Sequence, residues 1–279
     1  MTHIERSKGF TLVELMVAMV IAGLVAGAMF MSYRSQQDSY VAQQEVSSMQ
    51  QNLRAALFFM ERDLRLAGYD PRDSGNFGIT DVTRRNINDA ADLNGNSCVE
   101  MTIDRPPEDG ILGGGDETVY YCIYDSPVAA PDGNLDLARR VGPRVGGGGR
   151  QLLSQNIIAM GLAYAFDNNG DKIPDVSAGG NIIWAFDSNN DNLLDSSLDT
   201  NDDGNIDLLD NPAGTALPSP VALNRIVAVR IWLLARSDRQ DQKHLDNTTY
   251  VVGNRRITPN NGFRHRLLTS IVRCRNLLI

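Results

Sequence analysis

An apolar run near the N-terminus constrains this chain more than any other feature. Residues 10–31 are almost all apolar or small, which is long enough to cross a bilayer as a helix. Glu14 lies near the start of this run, where a carboxylate is costly in lipid. A secretory signal peptide or a plain membrane anchor gives this acid no purpose. The sequence therefore predicts a membrane helix in which the acid has a separate task.

The residues around the acid follow a recognisable order. Basic residues come first, and the segment "KGFTLVELMVAMVIAGLV" follows from Lys8. This segment resembles the prepilin motif of type IV pilins and type II secretion pseudopilins: a short basic leader that ends in Gly, a Phe that becomes the first mature residue, and Glu at the fifth mature position. The resemblance implies that a prepilin peptidase cuts between Gly9 and Phe10 and methylates the new amine.

The resemblance also implies a role for Glu14. Cleavage leaves a positive amine on Phe10 inside the same apolar layer as the acid. In an assembled filament, Glu14 would pair with the Phe10 amine of a neighbouring subunit, and each charge would offset the desolvation cost of the other. The acid would then set the register in which subunits assemble.

The helix is expected to continue beyond the membrane. No Pro or Gly occurs from residue 32 to residue 67, and Gly68 followed by Pro71 is a good stop. Apolar residues recur in steps of three and four on one face: Val46, Met49, Leu53, Leu57, Met60 and Leu64. We expect one helix over residues 10–67. Its end, "RDLRLAGYDP", resembles the helix end of PilW-type minor pilins.

Short runs rich in β-branched and aromatic residues follow the helix. They are expected to form the strands of an antiparallel sheet, at residues 98–103, 118–124, 157–166, 182–186, 226–234 and 267–275. A helix followed by strands predicts an α+β fold in which the amphipathic half of the helix covers the sheet. The expected segments are a leader (1–9), a transmembrane helix (10–31), its amphipathic continuation (32–68) and a periplasmic or extracellular β-rich domain (69–279) with an acidic insert (167–210).

Three cysteines are present, and they lack the spacing of a metal site. A periplasmic location permits oxidation. Cys98 and Cys122 fall near the two strands of a predicted hairpin, so a disulfide between them is the preferred pairing, with Cys274 buried and free. Three cysteines allow three pairings, and the sequence does not choose among them.

The negative charge of the chain is local. The formal net charge is -8, and residues 167–210 contain eleven Asp and one Lys. The remainder is slightly positive, so nucleic acid is not an expected partner. The sequence has no serine nucleophile elbow and no grouping of Cys with His, and we expect no enzyme activity.

The acidic insert contains a calcium-loop pattern. In "DTNDDGNIDLLD", which we call the third acidic loop (199–210), oxygen-bearing residues alternate and Gly204 stands sixth, where the loop must turn sharply. The predicted ligands, with Asn205 acting through its main-chain carbonyl, are Asp199, Asn201, Asp203, Asn205, Asp207 and Asp210. Without calcium, mutual repulsion and a shortage of large apolar residues should leave the insert mobile.

Two upstream segments repeat the first half of this pattern. They lack Gly at the sixth position and an acid at the twelfth, so they are expected to be weaker sites or partners in a shared cluster. They resemble the repeated loops of dockerins and thrombospondin-type repeats. In the first acidic loop (167–175) the candidates are Asp167, Asn169, Asp171 and Asp175, and in the second (187–195) they are Asp187, Asn189, Asp191 and Asp195.

These features predict a minor pilin of a type IV pilus that takes part in assembly initiation or in the tip complex. The implied partners are major and minor pilins, the prepilin peptidase, the inner-membrane assembly platform and a tip adhesin, and the implied cofactor is calcium. The location would be the inner membrane first and the pilus afterwards. Two alternatives remain: a J-type pseudopilin of a type II secretion system, and a membrane-anchored calcium-dependent binding protein or enzyme.

Overall fold

The α-helix α1 spans Leu12–Leu66 in the computed structural model. The structure describes residues 9–86, 88–113, 115–125, 133–142 and 149–277. The chain divides into two compact units, residues 1–47 and residues 48–279. In the first unit the described part is residues 9–47, and the apolar side chains of its helix are exposed. Residues 1–8 of the predicted leader lie outside the described part.

The C-terminal part of α1 belongs to the second unit and buries one face. Its buried apolar residues follow the three- and four-residue steps seen in the sequence: Met49, Leu53, Ala56, Leu57, Met60 and Leu64. The helix ends just before Gly68, which has a φ of +75° and donates its N–H to the carbonyl oxygen of Thr102. A Cβ at Gly68 would lie 2.4 Å from Leu277 Cδ2. The predicted long helix is confirmed to within two residues at its start and one at its end.

Fifteen strands and two short 3-10 helices make up the remainder of the described second unit. The strands are β1 (Ile79–Asp81), β2 (Arg84–Arg85), β3 (Asn96–Ser97), β4 (Val99–Thr102), β5 (Thr118–Asp125), β6 (Leu135–Val141), β7 (Gln151–Ser154), β8 (Ile157–Phe166), β9 (Ala185–Phe186), β10 (Leu193–Ser197), β11 (Thr215–Ala222), β12 (Ile226–Arg236), β13 (Tyr250–Val252), β14 (Arg255–Ile257) and β15 (His265–Arg273). The 3-10 helices are Leu223–Arg225 and Arg275–Leu277.

The strands form two main sheets rather than the one that the sequence predicted. One has five strands in the order β1-β4-β5-β6-β7, and the other has six in the order β11-β10-β9-β8-β12-β15. All strand pairs in both sheets are antiparallel. Apolar residues from both sheets and from α1 join in one buried cluster. The α+β class is therefore confirmed, with the second half of the helix packed on sheet residues.

Several strands escaped the sequence prediction because their residues are atypical of strands. β11 reads "TALPSPVA" and is an edge strand, where a sheet tolerates proline. β6 carries two arginines, and β10 carries an aspartate and two serines. β8 coincides with the predicted run at residues 157–166, and β12 extends its run by two residues.

The acidic insert is part of the six-stranded sheet. It supplies β9 and β10, and four of its large apolar residues enter a second buried cluster that includes Trp232. These residues are Trp184, Phe186, Leu198 and Ile206. These four side chains anchor the insert in the core, so it has more apolar contacts than its sequence suggested. That calcium orders the insert stays a prediction.

A buried carboxylate joins α1 to the five-stranded sheet. Asp63 is 1% exposed. Its Oδ2 accepts hydrogen bonds from the Tyr121 hydroxyl at 2.7 Å and from Arg139 Nε at 2.8 Å. Its Oδ1 accepts another from Arg62 at 2.9 Å. Burial opposes ionisation, yet the hydrogen bonds from Tyr121 and Arg139 and the positive charge of Arg139 hold the pKa of Asp63 below its usual value.

We expect Asp63→Ala to destabilise the second unit by about 3–5 kcal/mol, because it leaves the charge of Arg139, whose side chain is only 13% exposed, without its partner. Tyr121→Phe should cost about 1 kcal/mol, and Arg65→Ala, which breaks an exposed ion pair, about 0–1 kcal/mol. Urea unfolding of the full chain in detergent, followed by fluorescence of the buried Trp184 and Trp232, measures these costs.

The cost should also depend on pH. The pKa of Asp63 in the folded state lies below the unfolded value of about 3.9. Its stabilisation is therefore present above that pH and is lost as the pH falls through the folded pKa. Equal costs for Asp63→Ala and Arg65→Ala near neutral pH would contradict this account.

Candidate functional site

The start of α1 is closed by a reciprocal pair of side chains. Thr11 donates its main-chain N–H to Glu14 Oε2 at 2.9 Å and its hydroxyl to the same oxygen at 2.8 Å. The main-chain N–H of Glu14 reaches the Thr11 hydroxyl oxygen at 3.3 Å. This is a capping box, in which two helix N–H groups that lack partners in the helix are satisfied. The Thr-x-x-Glu spacing is visible in the sequence, but the sequence analysis missed it.

The apolar surface that follows the cap is fully open in this unit. Gly9 and Phe10 precede the helix and are exposed, Phe10 by 89%. Among the described residues, α1 is the helix long and apolar enough to cross a membrane. An apolar surface of this length requires lipid or other apolar helices around it.

The three acidic loops share one hydrogen-bond pattern, which begins at the first Asp of each. That carboxylate accepts the main-chain N–H of the sixth residue: Lys172 to Asp167 at 2.7 Å, Asn192 to Asp187 at 2.7 Å, and Gly204 to Asp199 at 2.8 Å. Asp167 and Asp187 are buried. Each loop therefore closes around the carboxylate of its first residue.

The pattern continues through the third and fifth residues. The Asn at the third position donates its amide to the Asp at the fifth: Asn169 to Asp171 at 3.1 Å, Asn189 to Asp191 at 3.0 Å, and Asn201 to Asp203 at 3.0 Å. The fifth Asp in turn accepts the N–H of the seventh residue: Ile173 at 2.8 Å, Leu193 at 2.9 Å and Asn205 at 2.8 Å. The seventh residue is thus held by its N–H in all three loops.

The sixth residue has a left-handed backbone in every loop. The φ angles are +64° at Lys172, +66° at Asn192 and +83° at Gly204. Asn enters this region readily, whereas Lys does so at a cost. The first two loops therefore turn as the third does, although they lack Gly at the sixth position. The lack of Gly is thus not a reason to expect weaker calcium sites in these two loops.

The acid that closes each loop is also equivalent, although its position in the sequence differs. The main-chain N–H of the second residue is donated to this acid: Asn168 to Asp175 at 3.2 Å, Ser188 to Asp195 at 2.9 Å, and Thr200 to Asp210 at 2.7 Å. The closing acid is the ninth residue in the first two loops and the twelfth in the third. In the third loop Asp207 instead accepts the N–H of Leu209 at 2.7 Å.

The strand order separates the second loop from the other two. β8 and β10 both pair antiparallel with β9, so the loops after β8 and β10 leave the sheet at one end and the loop after β9 leaves at the other. Asp202 of the third loop accepts a hydrogen bond from Asn181, which follows the first loop. The second loop instead contacts the segment around β2: Asn190 accepts the N–H of Arg84, and Asn192 accepts the N–H of Val82. One cluster shared by all three loops is therefore excluded.

The carboxylates of the loops differ in their electrostatic environment. Burial raises the pKa of Asp187, although four main-chain N–H groups favour its charged form. Burial also opposes ionisation of Asp167 and Asp210, but main-chain N–H donors hold the pKa of each below its usual value. The chief donors are Gly170 and Lys172 for Asp167. For Asp210 they are Asp207 and Thr200. Oxygen atoms of Asp and Asn on alternate residues are the ligand set that calcium prefers, so the loops fit a hard cation in chemistry.

Two of the cysteines lie at the five-stranded sheet, and the third follows β15 of the six-stranded sheet. Cys98 and Cys122 form a disulfide, which is the pairing that the sequence favoured, and Cys274 is free and buried. β4 and β5 pair as the predicted hairpin, and the disulfide joins the residue before β4 to the middle of β5.

Comparisons with known proteins match both ends of the chain. The model of the prokaryotic N-terminal methylation motif matches residues 5–30. The model of type IV pilus-assembly protein W matches residues 121–276, which is more than half of the chain. Among solved structures, the type IV-like pilin TTHA1219 from Thermus thermophilus is 14% identical with a TM-score of 0.43, over 82% of this chain and 97% of that one. No curated protein matches the sequence.

The loops should depend on their first Asp even without metal. In chelator, Asp187→Ala should destabilise the second unit by about 2–3 kcal/mol, because it leaves several partly buried N–H groups without an acceptor. Asp191→Ala, in the same loop but exposed, should cost less than about 1 kcal/mol. Urea unfolding followed by tryptophan fluorescence compares them, and equal costs would show that the buried carboxylate does not organise the loop.

Proposed function

The chain belongs to the family of type IV pilus-assembly protein W, and from this membership we propose that it helps to start pilus assembly or forms part of the tip complex, with a globular unit stabilised by calcium. As a minor pilin with the N-terminal methylation motif, it is anchored in the inner membrane and is then incorporated into a pilus.

The observation that carries the assembly role is the acid at the start of an apolar helix. Glu14 stands beside side chains that need lipid or neighbouring helices, and its Oε2 is held by Thr11. A carboxylate at this depth is favoured when a positive group enters the same layer. The amine that processing creates at Phe10 of a neighbouring subunit is such a group, so assembly would satisfy both charges.

A role at the tip or in initiation is supported by the size of the globular unit. It spans residues 48–279 and includes two main sheets, disulfide-linked β4–β5 and three acidic loops. A bulky unit is accommodated more easily where no subunit stacks above it. The partners proposed for it are major and minor pilins, the assembly platform, the prepilin peptidase and a tip adhesin.

Calcium is proposed to bind in the three acidic loops. In the third loop the ligands would be Asp199, Asn201, Asp203, the Asn205 carbonyl, Asp207 and Asp210, and the matching residues of the other loops would serve there. The carboxylates now accept main-chain N–H groups, so binding would redirect some oxygens toward the ion. Extracellular calcium modules bind with dissociation constants of roughly 0.1–1 mM, which suits the periplasm and the exterior.

The charge of Glu14 can be separated from its cap by two matched variants. Glu14→Gln keeps the size of the side chain and an acceptor for Thr11 but removes the charge, while Thr11→Ala removes the cap and keeps the charge. We expect Glu14→Gln to be cleaved and inserted yet absent from sheared pili, and Thr11→Ala to be incorporated, since a lost cap costs only about 0.5–2 kcal/mol. Immunoblots of membrane and sheared fractions at native expression measure both.

The same strains test the proposed location. Gly9→Val should leave an uncleaved precursor in the inner membrane, which serves as the control for processing. Immunogold labelling of sheared filaments should place the wild-type protein at pilus tips with or without a working type II secretion system. Normal incorporation of Glu14→Gln would overturn the charge-pairing role, and label that disappears with the type II system would favour the pseudopilin.

Calcium should raise the thermal midpoint of the full chain in detergent. At 5 mM, an ion bound with a dissociation constant of about 0.5 mM contributes about 1.4 kcal/mol, or about 3–5 °C in Tm for a domain of this size. Asp199→Ala with Asp203→Ala should lose about that amount of the calcium-dependent rise. Asp202→Asn is the matched control, because this carboxylate faces Gly179 and Asn181 instead. A midpoint unchanged by millimolar calcium would contradict the proposal.

A further inference from the structure

Three acidic side chains meet in the hairpin loop between β4 and β5, far in sequence from the acidic loops. Asp104, Asp109 and Glu117, which we call the hairpin acids, each place one carboxylate oxygen within 4.8 Å of the others. Among the described residues this is the one group of three or more Asp, Glu, His or Cys side chains gathered so closely. Asp104 and Glu117 are buried, and Asp109 is half-buried.

These residues are separated in sequence, and the fold brings them together. Asp104 follows β4 and Glu117 precedes β5, and the hairpin sets them side by side through the hydrogen bond from Ile103 N–H to the Glu117 carbonyl oxygen at 2.9 Å. Asp109 returns to them from the middle of the loop. Residues thirteen apart in sequence thus share one pocket of oxygens.

One oxygen of this group has no partner among the described residues. Asp104 is 1% exposed. Its Oδ2 accepts the N–H of Gly110 at 3.2 Å, whereas its Oδ1 is enclosed and accepts no hydrogen bond. A buried carboxylate oxygen without a donor is costly. Such an oxygen in a native fold indicates a missing donor or a missing cation.

The local charges make a cation the better explanation. The carboxylate oxygens of Asp104, Asp109 and Glu117 lie within 4.8 Å of one another, and like charges at this distance repel one another strongly unless a cation lies between them. Main-chain N–H groups donate to two of the carboxylates: Ile111 to Asp109 at 2.9 Å and Gly113 to Glu117 at 2.9 Å. These donors orient the carboxylates toward one another.

We propose that the hairpin acids bind one divalent cation, calcium by its ligand chemistry, at a site separate from the acidic loops. Three carboxylates from a loop supply hard oxygen ligands with an irregular spacing that calcium tolerates better than magnesium does. The ion would lie between the three carboxylates, and Asp104 Oδ1 would be one of its ligands.

The ion would fasten the hairpin loop to the segment that follows α1. Asp104 donates its N–H to the Tyr69 carbonyl oxygen at 2.9 Å, Arg72 Nε donates to the Glu108 carbonyl oxygen at 2.6 Å, and Asn76 donates to the Gly110 carbonyl oxygen at 3.0 Å. Ordering of the hairpin acids therefore also orders the exit of the helix. This inference does not depend on calcium in the acidic loops.

A local measurement separates this site from the acidic loops. Hydrogen exchange of the full chain in detergent, read by mass spectrometry on peptides from residues 103–113, is compared in 5 mM calcium chloride, in 5 mM magnesium chloride and in chelator. We expect calcium to slow exchange there about tenfold, as mass action predicts for a dissociation constant of about 0.5 mM. Magnesium should slow it much less.

Two variants and a control complete the test. Asp104→Asn with Glu117→Gln should abolish the calcium effect at residues 103–113. If this double variant does not fold, Asp109→Asn replaces it in the test. This change is at a half-buried position that tolerates substitution, and it should weaken the calcium effect. Asp116→Asn, an exposed acid beside Glu117, should keep the full effect. If exchange at residues 103–113 is the same in calcium and in chelator, the proposal is overturned, even if calcium protects residues 199–210. If magnesium protects residues 103–113 as well as calcium does, the assignment to calcium is overturned.

Discussion

Burial of one face of α1 is the interaction on which the second unit depends. The helix residues from Met49 to Leu64 share a core with both main sheets. Neither sheet has a complete core of its own in this cluster, because apolar side chains of β4–β6, of β8 and β12, and of the helix meet in it. The Asp63 network lies within this contact and ties the helix to Tyr121 and Arg139 by directed hydrogen bonds. Hydrophobic burial supplies the free energy, and the carboxylate specifies the rotation of the helix about its axis.

The first half of the same helix follows the opposite rule. Its apolar residues are exposed in the isolated chain, which is stable only in lipid or among other helices. One helix is therefore suited to two environments. Its surface is apolar up to about Ser32, and polar residues appear around it after that point. The capping box at Thr11 and Glu14 completes this end of the helix, since it satisfies N–H groups that have no partner within the helix.

The sequence predicted the elements that depend on local periodicity and missed those that depend on the tertiary fold. The helix and β8 agree closely with their patterns because each buries residues at a regular step. β11 was missed because its prolines argue against a central strand, and its place at a sheet edge cannot be known before the strand order. The acidic loops were found from spacing alone, whereas the hairpin acids become neighbours only when β4 pairs with β5. The left-handed backbone of Lys172 was not predictable from its residue type. Its conformational cost is offset by the hydrogen bond that its N–H donates to Asp167, and this bond is known only from the structure.

The closing acid of the acidic loops has a consequence for how such loops can vary. Asp175 and Asp195 close their loops from the ninth position, and Asp210 closes the third from the twelfth, yet all three accept the N–H of the second residue. The three additional residues form a small excursion, in which Asp207 accepts an N–H of its own turn. The first seven residues therefore keep one hydrogen-bond pattern, while the distance to the closing acid differs by three residues. Residues added or removed at that point would leave the oxygens of the first, third and fifth residues in place.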